Sequence, residues 1–318
     1  MLHTIRVIIL IVGVFLPTLV MAQGIGLQDG DEAGFVNDNA TAAVEPETVV
    51  AHPQSVNLGD PFLVRVTSNR PLGEVVVHWE GKSVVPSISV WNDKHVALAM
   101  LGTDVLNAKA GKKDLVITVS AEGDRSEYKR TVMIRDKEFP RQDLKLPPKM
   151  VTPPKEVLDR IARERKIIAK TRSIYSPQRE WSLPFFRPVR GSVSSDYGLK
   201  RFLNGKPRNP HRGMDFRSPM GNPIKSVADG IVALVGDHYY AGKSVYVDHG
   251  NGVISMYFHL SKPTVKEGQR VERGQTVGLT GTTGRVTGPH LHLSIAVQGK
   301  LVNPDPLFVK NTDQMLEE

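Results

Sequence analysis

The sequence predicts a mainly β protein: an N-terminal immunoglobulin-like β-sandwich, a helical linker and a C-terminal antiparallel β-sheet domain. Three observations predict it. Short runs of alternating apolar and polar residues recur in both halves, Gly- and Asn-containing turns separate them, and helical periodicity is confined to one basic stretch in the middle. At 318 residues, with 40% hydrophobic and 23% charged, the chain has room for two domains and an ordinary globular composition. A disordered or fibrous protein is excluded.

Residues 1–22 read as a secretory signal peptide. Arg6 precedes an apolar run from Val7 to Val20, and Val20 and Ala22 occupy the two small-residue positions, so cleavage is expected after Ala22. The run is shorter than the roughly 20 residues that span a bilayer, and no later segment is apolar enough to cross one. The expectation is an exported protein without stable membrane insertion after signal cleavage, in the periplasm or cell envelope rather than fully secreted.

Residues 23–45 hold few bulky apolar groups and read as a flexible leader. Residues 46–136 carry the strand runs Phe62-Leu-Val-Arg-Val-Thr, Glu74-Val-Val-Val-His-Trp, Ser87-Ile-Ser-Val-Trp, His95-Val-Ala-Leu-Ala-Met, Leu115-Val-Ile-Thr-Val and Tyr128-Lys-Arg-Thr-Val-Met-Ile. Strands at this spacing suggest the immunoglobulin-like sandwich. Its histidines, His52, His78 and His95, lack ligand-like spacing and read as strand or surface residues.

Residues 137–184 form a linker rich in charge and proline. Thr152-Pro-Pro opens an expected helix at about 154–170, capped by Thr152, with Val157, Leu158, Ile161 and Ile168 at helical spacing. One apolar stripe on a basic helix is expected to dock on a neighbouring domain. Residues 185–310 return to short strands and glycine turns, and residues 311–318 read as a tail. In Gly252-Val-Ile-Ser-Met-Tyr-Phe-His the alternation places His259 on the polar face at a strand end.

The chain has no cysteine, which removes disulfides, thiolate ligands and a cysteine nucleophile. A metal would therefore rest on nitrogen and oxygen. The net charge of +8 suits anionic cell-surface polymers or lipid head groups, or simply solubility. Scattered Arg and Lys with no recognition motif give no support for nucleic acid.

Chemistry concentrates in Pro-His211-Arg-Gly-Met-Asp215-Phe and Gly-Pro-His290-Leu-His292-Leu. In extended strands His211, Gly213 and Asp215 share one face, as do His290 and His292. Catalytic zinc sites commonly take three ligands of the His/Asp/Glu type and leave a position for water. With His259 there are five candidates, so surplus imidazoles remain for proton chemistry. Zinc held by two neutral imidazoles and a carboxylate keeps a net positive charge and can lower the pKa of its water from about 15.7 toward 7. Gly213 leaves room beside such a metal, and Gly288 and Pro289 shape the approach to His290. His249 reads as a turn residue. The loop with His238, Tyr239 and Tyr240 reads equally as groove lining or as ordinary surface, and Asn204 and Arg208 as a lid over the site.

These segments resemble the lysostaphin-type, or LytM-like, zinc endopeptidases over roughly residues 185–308. The motifs occur in order: Gly191-Ser-Val-Ser-Ser-Asp-Tyr-Gly, His211-Arg-Gly-Met-Asp215, Met256-Tyr-Phe-His259, Gly288-Pro-His-Leu-His292 and Asn303-Pro-Asp-Pro. The resemblance implies a LytM-like zinc peptidase domain with zinc ligands His211, Asp215 and His292, and with His259 and His290 as the pair that handles protons and stabilises the transition state. Which of the two is the general base stays open. Where many relatives carry Glu or an aromatic residue two positions after the last histidine, this chain has Ser294, so no outer carboxylate is expected there.

The implied function is hydrolysis of peptide cross-links in peptidoglycan, with its peptide stems as partner. The alternatives are a non-catalytic wall-binding or hydrolase-activating protein on the same fold, and a secreted protease acting on proteins. The N-terminal domain can serve in targeting, in regulation through a protein partner, or in occlusion of the groove. Neither the bond cleaved nor the oligomeric state is legible.

Overall fold

The computed structural model describes residues 47–317. The signal segment 1–22 and the leader 23–45 lie outside the described residues. Two antiparallel sheets form the N-terminal half. One orders Thr48–Ala51, Pro61–Ser68, Lys94–Gly102 and Ile88–Trp91; the other orders Ser55–Asn57, Asp124–Arg135, Gly111–Ala121, Leu72–Trp79 and Lys82–Val84, with only its first pair parallel. Period-two alternation explains their packing. Phe62, Val64 and Val66 face Val75, Val77, Leu115 and Ile117 across the sandwich core.

The opposite face of Pro61–Ser68 and Lys94–Gly102 is buried too. Leu63 and Met100 join a core with Val302, Leu307 and Met315 from the C-terminal half. Polar contacts reinforce that seam: Tyr197 donates its hydroxyl to Leu301 O at 2.7 Å and accepts from the Val105 N–H at 3.1 Å, and Asn303 Nδ2 donates to Asp60 Oδ1 at 2.8 Å. Residues 311–317 are no free tail. Met315 and Leu316 are buried against the shared core, because a Met-Leu pair has apolar area to hide, and Asp313 pairs with Arg65.

The C-terminal sheet orders Val193–Ser195, Met214–Arg217, His290–Val297, Val253–Pro263, Gly242–Asp248, Gly230–His238 and Arg270–Val271, all antiparallel. Fully buried Val245, Val247, Leu291, Leu293 and Ile295 fill one of its faces. Tyr246, Ile254, Met256 and Ala296 form a smaller cluster on the other, which Ile168 and Phe258 help cover.

The linker is woven into this half. Arg141–Leu144 pairs in parallel with Lys200–Leu203, Asn204 bonds both the N–H and the carbonyl of Leu146, and Arg208 donates to Val151 O at 2.9 Å. The Asn204–Arg208 hairpin is thus tied to the linker. Its helix spans Leu158–Thr171 after a single 3-10 turn at Lys155–Val157, and a short helix, Pro148–Val151, precedes them. Thr152 does not cap the main helix; it ends the short one, since Pro153 and Pro154 force extended chain between the two. Ile161 is buried while Leu158 is exposed, so the docking stripe is narrower than the spacing suggested. Arg160 donates to Asp237 O, and Glu164 accepts from the Tyr239 N–H, which fixes the helix across the sheet. Among the described residues no helix is long and apolar enough to cross a membrane.

Candidate metal centre

Strand register assembles the centre. Asp215 on Met214–Arg217 stands opposite His292 on His290–Val297, and His292 stands opposite Phe258 on Val253–Pro263. His211 is not on a strand. The strand begins at Met214, and His211 reaches the site from the preceding loop, where its backbone N–H bonds Leu199 O. Gly213 makes the approach feasible: a Cβ there would lie 2.6 Å from His292 Nε2 and 2.5 Å from Leu293 O. His259 falls within its strand rather than at the end, with φ of 63°, where the register with Gly242–Asp248 shifts. That irregularity re-aims its side chain toward the site.

His211 Nε2, Asp215 Oδ1 and His292 Nδ1 form a triangle with edges of 3.1, 2.7 and 3.0 Å. Bonds of about 2.05 Å in tetrahedral geometry place ligand atoms roughly 3.3 Å apart, so a zinc ion fits this donor set with little adjustment. Each donor atom is also presented in the right protonation form. His211 Nδ1–H donates to Asp196 O at 2.7 Å, which leaves Nε2 with its lone pair. His292 Nε2–H donates to Ser294 Oγ at 2.8 Å, Ser294 donates onward to Arg212 O, and Nδ1 is left for the metal. Phe258 stacks on the His292 ring, 5.3 Å between centroids and 5° from parallel.

The outer oxygen of Asp215 is held as well. Arg201 Nη2 donates to Asp215 Oδ2 at 2.7 Å, Arg201 Nε donates to Gln142 Oε1, and Gln142 Nε2 donates to Ser195 Oγ. A residue of the linker strand thus orients the arginine that orients the carboxylate. None of these three supports was anticipated from sequence. A buried carboxylate facing two histidines requires a counter-charge, and Arg201 in Gly-Leu-Lys-Arg ahead of the histidine motif was the available signal.

His259 and His290 flank the triangle. Their Nδ1–H groups donate to Thr283 O at 2.9 Å and Gly288 O at 2.8 Å, and their rings lie 5.0 Å apart. His290 Nε2 is 3.8 Å from Asp215 Oδ1. Burial, followed by the neighbouring histidines, pushes His259 down to about 3; burial likewise takes His292 to about 4 despite its carboxylate partner. Burial would raise the Asp215 pKa, yet the close approach of His211 and His292 to its Oδ1 holds it well below the carboxylate range. Near neutral pH His292 is thus a neutral imidazole and Asp215 a carboxylate, which are the forms a metal binds.

The other histidines stand apart from the triangle. His249 lies at the turn after Gly242–Asp248 and is fully buried there, its Nδ1–H donating to Asp229 O at 2.6 Å and its Nε2 2.7 Å from Ser255 Oγ. His238 is buried against Tyr246 and bonded to Ser244, while Tyr240 and the edge of His238 line a cavity of about 1070 Å³ over the centre.

Three donor atoms that could hold one metal ion, with two further imidazoles beside them on an antiparallel β-sheet, match the donor set of a mononuclear hydrolytic centre. The chain belongs to peptidase family M23, whose family model matches residues 209–304. A crystal structure from Pseudomonas aeruginosa assigned to peptidase M23 is 33% identical with a TM-score of 0.57, covering 75% of this chain and 90% of that one. The peptidoglycan DD-endopeptidase ShyA of Vibrio cholerae is 52% identical over 112 residues, 35% of this chain and 26% of that protein. The DD-carboxypeptidase/endopeptidase Mpg of Neisseria meningitidis is 42% identical over 112 residues, again 35% and 26%. The match therefore spans about a quarter of these curated relatives.

Proposed function

We propose that this protein is a zinc metalloendopeptidase that hydrolyses peptide cross-links of peptidoglycan. The observation that carries this reading is the pair His259 and His290, each held through Nδ1 by a carbonyl so that, among the described residues, no protein hydrogen bond takes Nε2 beside a complete ligand triangle. A purely structural metal site would have no use for them. Bound zinc supplies Lewis acidity, acidifying a water and polarising the scissile carbonyl. The chain's own residues do the rest. One imidazole Nε2 accepts the proton of the attacking water and passes it to the leaving amine nitrogen, while the other, in its doubly protonated form, donates its Nε2–H to the carbonyl oxygen as charge develops there. Arg201 and Ser294 keep Asp215 and His292 in place throughout.

The name of ShyA favours peptidoglycan as substrate, and that of Mpg favours an endopeptidase. Location in the cell envelope belongs to the same reading, supported by the signal pattern in residues 1–22 and the charge of +8. The N-terminal half is read as an immunoglobulin-type sandwich. The sheet orders support this, because they correspond to an A-B-E-D sheet facing a G-F-C sheet. The test is release of soluble peptides from purified sacculi by the zinc-loaded protein, with His290→Ala as the inactive comparison. No release beside an active control hydrolase sinks the reading.

A further inference from the structure

The cavity over the metal centre is strongly and one-sidedly charged. Arg165, Arg172, Arg208, Arg212 and Arg285 line it; Asp104 partly offsets Arg172, and among the described residues no salt bridge ties Arg165, Arg208 or Arg285 to a carboxylate. The carboxylates that line it are Glu164 and Asp215. Both are engaged, Glu164 by Arg160 and the Tyr239 N–H, Asp215 by Arg201 and the histidines.

Arg208 stands three residues ahead of His211 and Arg285 five ahead of His290, so each rides on a segment that delivers a site histidine. Arg285 lies over the Tyr240 ring at 4.4 Å, which fixes it without neutralising it. Burial first, and then the charges of Arg201, Arg208 and Arg165, lower its pKa. Arg208 bonds only the carbonyls of Pro207 and Val151, so its charge is likewise uncancelled. Gathering like charges in a partly desolvated cleft costs stability in the free protein. An anionic ligand offsets that cost, and the guanidinium fork matches a carboxylate in two parallel hydrogen bonds.

We propose that Arg208 and Arg285, with Arg165 from the linker helix, form a carboxylate-reading subsite, so that the preferred substrate is a peptide with free carboxylates close to the scissile amide. This rests on the peptidase reading above and deepens it. Uncharged bridges such as glycine chains would be poor substrates, and stem peptides retaining free carboxyl groups good ones.

The experiment uses two cross-linked stem peptides that differ only in whether their free carboxyl groups are acids or primary amides. The zinc-loaded protein is expected to favour the acid by about tenfold or more in kcat/KM. That ratio should collapse toward one in the Arg208→Gln/Arg285→Gln variant and survive in large part in the Lys/Lys pair. A wild-type ratio near one, or a ratio untouched by the Gln pair, overturns the proposal. Should the Gln pair not fold, the wild-type ratio is followed against ionic strength. It should fall as salt screens the guanidiniums, and a salt-independent ratio overturns the subsite. Hydrolysis of neither peptide would count against the peptidase reading itself. Binding of the same two peptides then decides the subsite: tighter binding of the acid supports it, and equal binding overturns it.

Discussion

Arg201 grips the oxygen of Asp215 that the histidines leave free: Nη2 to Oδ2 is 2.7 Å, while Oδ1 faces His211 and His292. The carboxylate is thereby held in one rotamer with one oxygen toward the metal position. Replacing Arg201 with Ala leaves a buried charge without its clamp. Metal affinity should fall about 10- to 100-fold, read by competition with a chromophoric chelator. An unchanged affinity would mean that the histidines alone orient Asp215.

Ser294 should matter through its hydroxyl. In Ser294→Ala the His292 Nε2–H loses its acceptor and the ring is freer to place the proton on Nδ1, where it blocks ligation. Expected are a loss of about tenfold in metal affinity and about 1–2 kcal/mol in stability, measured by chelator competition and denaturant unfolding. Ser294→Thr, which keeps the hydroxyl, should recover part of the affinity.

Gly213→Ala should be far more damaging than a single methyl group suggests. The new Cβ would meet Leu293 O and His292 Nε2 well inside contact distance, and backbone cannot yield as a side chain tip does. A cost of about 2–3 kcal/mol and loss of stoichiometric zinc are expected, by thermal unfolding and metal analysis. Full zinc content in this variant would contradict the close approach.

Acid should weaken the fold partly through His249. Burial holds it at about 4 in the native state against an ordinary 6.5, so the unfolded chain binds its proton first. Its contribution is therefore intact above pH 6.5 and is lost as pH falls toward 4, by up to about 3 kcal/mol. Subtracting the stability–pH curve of His249→Gln from that of the wild type isolates the effect. A flat difference between pH 4 and 7 would show that His249 is not a buried neutral group.

Much of the site was legible because strand alternation is a strong constraint. His290 and His292 must share a face, and once Asp215 is opposite His292 the histidine motifs have one place to meet. The strand runs were legible for the same reason. What escaped was everything set by tertiary partners. Arg201, Gln142 and Ser294 look like surface polar residues in one dimension, because a side chain's usefulness to a distant imidazole leaves no periodic trace. His249 was assigned to a turn, but its burial depends on the segment after the linker helix covering that turn, where Ser176 O accepts the Asn251 N–H and Ser176 itself bonds Asp248. Leu63 and Met100 showed as apolar, yet only the second half of the molecule explains why both faces of their sheet are hidden.

The parallel pairing of Arg141–Leu144 with Lys200–Leu203 bears on how this protein can be cut, fused or shuffled. The family match begins at residue 209, yet the hydrogen bonds that finish the centre reach back to Gln142. A fragment trimmed to the match would expose Met214–Arg217 as a raw strand edge and would lose both Arg201 and Gln142, leaving Asp215 without its clamp. Swapping front halves between relatives at that point would bring a foreign brace to a native carboxylate. The unit of inheritance and the unit of mechanical integrity are offset here by more than sixty residues.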